Sequence, residues 1–132
     1  MGKDRNAFPL VYSCSGCSSA AQMANHIALE LDRRDVAEMS CIAGVGGDVP
    51  SLVKLAKSGR PVVVIDGCPL ECARNCLARH GVKADLHWQL ADHGVRKRYH
   101  AQFDQFEAAG ITNEVAWDVE ALAAERVLLQ PV

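Results

Sequence analysis

Four short apolar segments along the chain have the length and pattern of β-strands. The first three cover residues 8–12, 36–42 and 61–65. The third of them has the sequence Pro-Val-Val-Val-Ile. A continuously apolar, β-branched run of this kind is typical of a strand that is buried on both faces. Residues 82–88 instead alternate apolar and polar side chains. That alternation predicts a strand with one wet face, which we place towards the edge of the sheet.

Segments with helical periodicity or capping residues separate the predicted strands. The predicted helices, turns and loops are, in chain order, a helix from Ser18 or Ser19 to about Arg33, a glycine-rich turn over 43–48, a short helix near Pro50, a helix from Pro69 to Gly81, an irregular segment over 89–110 with a short helix, and a final helix capped by Thr112 or Asn113. Strands that alternate with helices are typical of a parallel α/β sheet. We therefore expect a three-layer α/β/α sandwich with a mostly parallel sheet, Rossmann- or flavodoxin-like. Its 132 residues suit one domain over 1–132.

The composition excludes several classes of protein. The chain is 49% apolar and 23% charged with a net charge of −2, which excludes a disordered chain and gives no global attraction to nucleic acid or to an anionic membrane. The basic run 96–100 predicts a solvated face, so nucleic acid is not favoured as a partner. The longest strongly apolar run, 62–65, is far shorter than the roughly 20 residues of a membrane span. The stretch Gly44–Val49 lacks the third glycine of a dinucleotide fingerprint, so no nucleotide cofactor is expected.

We expect a cytoplasmic protein, because the charged amino end is not followed by an apolar segment of signal-peptide length. The exposed edge strand and the 89–110 segment leave a homodimer open, and no protein partner is indicated. In a reducing compartment, cysteines serve metal binding or thiol chemistry more often than disulfides. The six cysteines of this chain all lie in its first 76 residues: Cys14, Cys17, Cys41, Cys68, Cys72 and Cys76.

The predicted fold brings cysteines that are distant in sequence to one edge of the sheet. Cys14 and Cys17 follow the first strand, Cys41 ends the second and Cys68 follows the third. Since right-handed crossovers place the carboxyl ends of parallel strands at the same edge, these thiols should meet where open α/β folds bind ligands. The Cys14–Cys17 pair is a CxxC motif, shared by zinc sites, iron–sulfur sites and dithiol redox enzymes. A single CxxC dithiol would not explain the other cysteines, whereas a metal site made of four sulfurs does.

The spacing of the last three cysteines predicts that they share one helix. Residues 68, 72 and 76 recur every four positions, close to the 3.6 residues of a helical turn. Cys68 and Cys72 would then lie at the helix amino end, where the dipole favours a thiolate. For Cys76, a buried core side chain is an equal alternative.

The segment Asp66-Gly67-Cys68-Pro69-Leu70-Glu71-Cys72-Ala73, after an apolar strand, resembles the signature of the DGC-domain family. Blocks at 12–16, 22–25 and 41–47 resemble other blocks of that family, so the resemblance covers roughly residues 8–100. It implies zinc binding through cysteines, and the positions that match the recurring cysteines are Cys14, Cys41, Cys68, Cys72 and Cys76. Cys17 falls on a position that is not always cysteine in the family.

We therefore expect a small cytoplasmic metal-binding protein that coordinates Zn²⁺ and handles or senses the metal. Zinc takes four ligands, and the expected set is Cys14, Cys41, Cys68 and Cys72, with Cys17 as the first substitute. Asp66 is expected to orient the metal ligands without binding the metal itself, or to cap the 69–81 helix. Two alternatives stay open: an iron–sulfur protein for electron transfer, because the Cys-x-Gly-Cys loop resembles that of hydrogenase small subunits, or an enzyme that uses a thiolate at Cys68 or Cys72 for disulfide, persulfide or metalloid chemistry.

Overall fold

A computed structural model describes residues 4–129 of the protein. The strands and α-helices of that part of the chain are β1 (Leu10–Ser13), α1 (Ser19–Arg33), β2 (Glu38–Met39), α2 (Ile42–Gly46), α3 (Pro50–Ala56), β3 (Val62–Asp66), α4 (Cys72–Arg79), β4 (Leu86–Gln89) and α5 (Gln105–Leu129). Short 3₁₀ turns at Arg5–Ala7 and Leu90–His93 complete the described elements. None of the helices over residues 4–129 is long and apolar enough to cross a membrane.

All strand pairs of the sheet are parallel, and the strand order is β2–β1–β3–β4. This is the start of the flavodoxin-like order, in which the direction of the crossovers reverses between β1 and β3. Right-handed crossovers place α1 on one face of the sheet and α2, α3 and α4 on the other. Helix α5 packs on α1 and β4, while α4 packs on β3 and α2. The predicted α/β sandwich is confirmed, and β4 lies at the edge as expected.

The core of the sandwich follows the apolar pattern of the chain. Every residue of β1 and β3 is buried, as the continuous apolar run in β3 predicts. Ser18 caps α1 as predicted, because its hydroxyl accepts a hydrogen bond of 3.1 Å from the N–H of Ala21. Pro50 occupies the first position of α3, where its fixed φ suits a helix.

The prediction for the second strand and the following turn is wrong in its boundaries. Only Glu38–Met39 is a strand, and most of the predicted 43–48 turn is the short helix α2. Strand β2 is an edge strand with β1 as its only partner in the described sheet. The side chain of Asp32 on α1 accepts a 2.8 Å hydrogen bond from the N–H of Met39. A helix side chain thus binds a backbone N–H of this short edge strand.

The prediction that a helix begins at Pro69 is wrong by three residues, because α4 begins at Cys72. The preceding Glu71 adopts a left-handed conformation with φ of 51°. A left-handed residue cannot continue a right-handed helix, so residues 67–71 form a turn instead. Cys68 is therefore on this turn, and only Cys72 and Cys76 lie on α4.

The last two elements also differ from the prediction in their bounds. Strand β4 is confined to Leu86–Gln89, and α5 begins at Gln105 rather than near Thr112. The side chain of Asp104 accepts a 2.8 Å hydrogen bond from the N–H of Glu107 and so caps α5. Thr112 is buried inside the helix, where its hydroxyl donates to the carbonyl of Ala108 at 2.7 Å.

Candidate functional site

Cys14 lies directly after β1, at the point of the sheet where the crossovers change direction. Its backbone N–H donates to the carbonyl of Ile65 at 3.1 Å, and its Sγ accepts a 3.2 Å hydrogen bond from the N–H of Gly67. The side chain is buried. Burial is the main reason that its pKa rises to about 11, and the nearby charges of Asp66, Cys72 and Cys68 raise it further. The Cys14 thiol is therefore held protonated beside the carboxylate of Asp66.

Asp66 ends β3 and is fully buried. Its carboxylate accepts hydrogen bonds from the N–H groups of Ala73, at 2.9 Å, and Arg74, at 3.2 Å. It also lies 2.9 Å from Nε2 of His87. Asp66 therefore caps α4, as one of the two sequence-based readings expected, and it joins the helix to the edge strand.

His87 and Glu71 extend this polar network to the surface. Nδ1 of His87 lies 3.6 Å from a carboxylate oxygen of Glu71. That carboxylate also accepts hydrogen bonds from Gln89, at 3.0 Å, and from Arg74, at 3.0 Å. The hydrogen bond from Gln89 is the main reason that the pKa of Glu71 is lowered. The network keeps a negative charge next to the first turn of α4.

Cys68 is half-buried on the turn between β3 and α4. Lys97 lies 29 positions further along the chain, and its Nζ is 3.6 Å from the Sγ of Cys68. A hydrogen bond to Tyr99 is the main reason that the pKa of Lys97 is raised, and Cys68 contributes to the same direction. The basic run that was predicted to be a solvated face thus provides a cation beside a thiol.

Cys72 and Cys76 lie one turn apart on α4, and Cys72 is exposed. Burial raises the pKa of Cys76, and the charges of Cys72 and Asp66 raise it further. A Cβ placed on Gly46 would lie 3.2 Å from the Sγ of Cys76, so Cys76 packs against α2. Cys76 is therefore partly buried in a helix interface, and its role as a metal ligand stays a prediction.

The remaining two thiols are exposed. Cys17 lies on the turn between β1 and α1, whose conformation is held by a hydrogen bond from Gln22 to the carbonyl of Gly16. Cys41 precedes α2 and lies on the side of the sheet near Tyr12, whose pKa is raised mainly by burial and in a smaller part by Cys41. Cys14 is hydrogen-bonded to Gly67 at the start of the turn that carries Cys68, and Cys72 and Cys76 lie on the helix that follows this turn. We call Cys14, Cys68, Cys72 and Cys76 the thiol cluster. Over residues 4–129, no three or more His, Cys, Asp or Glu side chains are arranged to hold a metal ion.

Comparison with known proteins identifies the family of this chain. Residues 10–115 match the DGC domain family. The chain belongs to the DGC domain family. It is also 65% identical, over 91 residues, to the anaerobic and virulence modulator AnvM of Pseudomonas aeruginosa, a match that covers 69% of this chain and 70% of that protein. No solved structure matches the chain.

Two residues near the thiols of this DGC-family protein were not assigned to the site from the sequence. His87 was placed on the polar face of its strand, and Lys97 was placed in a solvated charge run. The pairing of His87 with Val64 in the β3–β4 register brings its side chain to the face that Asp66 shares. The alternating pattern of 82–88 is the signal that could have found His87. No local pattern points to Lys97, because its contact with Cys68 depends on how the segment after β4 returns across the sheet edge.

High pH should destabilise this DGC-family protein through Cys14. Burial raises its pKa from 9.0 to about 11, so the folded state keeps a proton that the unfolded state loses first. The free energy of unfolding should be unaffected by Cys14 below about pH 8 and should fall by roughly 2–3 kcal/mol between pH 9 and 11. Urea unfolding of the metal-free protein at about pH 8 and about pH 11 measures this change, because a bound metal would already hold Cys14 as a thiolate.

Two variants isolate the contribution of Cys14 to that alkaline loss. The exposed Cys17→Ala variant should lose as much stability as the wild type, whereas Cys14→Ala should lose less because the buried thiol is gone. Other groups that titrate at high pH are common to all three proteins and cancel in the comparison. Equal losses in the wild type and in Cys14→Ala would contradict the prediction.

Proposed function

We propose that this DGC-family protein binds Zn²⁺ through cysteine thiolates at the carboxyl edge of its sheet, and that it handles or senses the metal. The observation that carries the proposal is geometric. The Sγ of Cys14 accepts a hydrogen bond from the N–H of Gly67 at 3.2 Å, directly before Cys68. The buried carboxylate of Asp66 caps the helix that Cys72 begins. Ionised thiols would repel one another and the carboxylate. A divalent cation bound among them would attract all of these negative charges. It would also deprotonate the thiols outright.

The donor chemistry of the thiol cluster suits zinc, but the side chains over residues 4–129 are not arranged to hold a metal ion, so the proposal requires these thiols to move together when zinc binds. Thiolate sulfur is a soft ligand that zinc accepts in closed four-ligand sites. Cys14, Cys68 and Cys72 would supply three ligands, and Cys76, one helical turn after Cys72, would supply the fourth. Bound zinc would hold these residues together, because its positive charge attracts each thiolate. The proposal rests on the chemistry and the proximity of the sulfurs, and it replaces Cys41 of the expected set by Cys76.

The surroundings of the cluster support a thiolate site. The N–H of Gly67 donates to the Sγ of Cys14 and the ammonium of Lys97 lies beside Cys68, and both contacts stabilise negative sulfur. The cluster occupies the β1–β3 switch point, which is where flavodoxin-like sheets bind their ligands. Asp66 and His87 hold the first turn of α4 in place behind Cys72.

The name of the relative suggests a setting for such a site. That protein is called an anaerobic and virulence modulator, and this chain shares 65% of its residues over the matched region. Cysteine thiolates are the groups of a protein that oxidants attack first. A zinc–thiolate site would therefore suit a protein that responds to anaerobic conditions, and we extend that role to this chain as part of the proposal.

Elemental analysis of the full chain, purified without chelator under anaerobic conditions, tests the proposal directly. We expect about one zinc per chain and no visible colour, since Zn²⁺ is d¹⁰. Brown protein that holds iron and acid-labile sulfide would replace zinc by the iron–sulfur alternative. Protein without metal and with six free thiols would overturn both metal-based readings and leave thiol chemistry at Cys68 or Cys72.

Zinc affinity should depend on Cys72 and not on Cys17. Both side chains are exposed, so a change to serine at either position leaves the core intact. Loss of an indirect partner of a metal ligand already weakens binding by about 10–100-fold, and Cys72→Ser should weaken it at least that much. Competition with a chromophoric chelator measures the affinity, with Cys17→Ser as the matched control. Equal affinities of the two variants would exclude Cys72 as a ligand.

A further inference from the structure

A cavity lies between the start of α1 and the segment that leads from β4 into α5. The cavity has a volume of about 460 Å³, within the range that holds small ligands. Met23, Val95 and Phe103 form the apolar part of its wall. The remaining lining is mainly polar and charged.

Charged side chains of both signs line this cavity. Arg96 and Arg98 contribute two guanidinium groups, and Asp104 and Glu107 contribute two carboxylates. One oxygen of Asp104 is occupied by the N–H of Glu107 at the start of α5. Among the residues from 4 to 129, no side-chain hydrogen bond or ion pair joins Arg96, Arg98 or the Glu107 carboxylate to another residue. Two cations and one anion thus face the cavity without an internal partner in that part of the chain.

The backbone that carries the two arginines is fixed in place. The N–H of Ser19 donates to the carbonyl of Arg98 at 2.8 Å, and the Ser19 hydroxyl accepts from the N–H of Arg98 at 2.9 Å. The same hydroxyl lies 3.4 Å from the carbonyl of Arg96. Ser19 is itself buried. The backbone at both arginines is therefore already fixed, so only their side chains need to become ordered when a ligand binds.

We propose that this cavity binds a small molecule with two carboxylates and one ammonium, namely an acidic amino acid or an acidic peptide. Each guanidinium matches a carboxylate in a two-bond geometry. Glu107 supplies the opposite charge for an ammonium group. The carboxylates of Asp104 and Glu107 disfavour a polyanion such as nucleic acid, which agrees with the net charge of −2.

The position of Lys97 connects the cavity to the thiol cluster. Lys97 stands between the two cavity arginines in the chain and contacts Cys68 at 3.6 Å. The segment that supplies Arg96 and Arg98 to the cavity thus also contacts the thiol cluster. A peptide with its own thiol is one source of the required charges. An acidic amino acid without sulfur is the other source. The inference does not depend on metal binding by the cluster.

Isothermal titration calorimetry on the full chain, kept metal-free with a chelator, tests this site. The probes are L-glutamate, glutathione and S-methylglutathione, with succinate as the dicarboxylate that lacks an ammonium. We expect saturable binding of glutamate or glutathione and weaker binding of succinate. Glutamate alone would identify an amino-acid ligand, binding of both glutathione probes would identify a peptide, and loss of binding on S-methylation would show that the ligand sulfur takes part.

Variants of exposed residues make the test specific to the cavity. Arg98→Gln removes a charge-assisted contact and should raise the dissociation constant about 10–100-fold, and Glu107→Gln should weaken glutamate much more than succinate. Arg33→Gln is the matched control, because Arg33 is an exposed arginine at the other end of α1. Absence of binding by glutamate and both glutathione probes, or equal affinities for the wild type and Arg98→Gln, would overturn the proposal. A chain that takes up no zinc but binds these probes would refute the proposed metal function and leave this inference standing.

Discussion

Replacement of Asp66 by alanine should lower the free energy of unfolding by about 3–5 kcal/mol, the typical effect of breaking a buried charged network. The carboxylate is fully buried. Without it, the N–H groups of Ala73 and Arg74 and the Nε2 of His87 lose their acceptor. The contact of Ala73 is buried and the other two are partly buried. A buried donor without a partner is costly because water cannot reach it. Chemical denaturation at neutral pH measures the loss.

Two further variants separate the contact from the charge and from the surface. Asp66→Asn keeps one carbonyl oxygen in the same place, so it should lose only about 1–2 kcal/mol. Asp92→Ala changes an exposed aspartate and should stay within about 0.5 kcal/mol of the wild type. If Asp66→Ala were no less stable than Asp92→Ala, Asp66 would not hold α4 to the sheet.

Replacement of Gly67 by alanine should have the second large effect, because Gly67 lies against the backbone of α1. A Cβ at this position would lie 2.6 Å from the carbonyl carbon and oxygen of Ala20 and 2.9 Å from the N of Ala21. Backbone atoms cannot turn away as a flexible side chain can, so the 66–68 segment and α1 must move apart. Overpacking of this kind typically costs about 2–3 kcal/mol.

The same substitution should disturb the thiol cluster. The N–H of Gly67 donates to the Sγ of Cys14. Displacement of the turn would break that hydrogen bond and expose the thiol to solvent. We therefore expect Gly67→Ala to lose stability in urea unfolding and to react faster at Cys14 with an alkylating agent, read out by peptide mass spectrometry. Unchanged stability together with unchanged Cys14 reactivity would refute the close approach of these backbones.

A second glycine provides the matched control. A Cβ on Gly110 would meet no atom within 4 Å, and this residue lies inside α5. Because alanine favours a helix over glycine, Gly110→Ala should stabilise the protein by about 0.5–1 kcal/mol. The opposite signs expected at positions 67 and 110 distinguish a steric effect from a general effect of glycine replacement.

The fold and the site are coupled through the turn over residues 67–71. Gly67 allows this turn to lie on α1, Asp66 ties its end to α4, and the left-handed Glu71 ends it at Cys72. The turn thereby sets the positions of Cys68 and Cys72 relative to Cys14. Changes that affect stability at positions 66 and 67 should for this reason also affect any ligand of the thiol cluster.

The sequence by itself determined the class of fold, the order of the four strands along the chain, and the edge of the sheet at which Cys14 and Cys68 follow their strands. These properties depend on local periodicity, as in the buried run of β3, on capping residues such as Ser18, and on the handedness of crossovers, all of which a single chain displays in its pattern. The matched blocks around Cys14 and Cys68 likewise indicated the family, because they are short and contiguous.

Tertiary structure alone decided which thiols lie together and what surrounds them. The predicted helix from Pro69 would have placed Cys68 on α4, but packing of Gly67 on α1 makes a turn there instead. Lys97 reaches Cys68 across 29 residues, and His87 reaches Asp66 across 21. Such contacts depend on how whole elements pack and on where a connecting segment returns. A local pattern determines which element a residue enters, whereas the neighbours of its side chain are determined only when the elements are assembled.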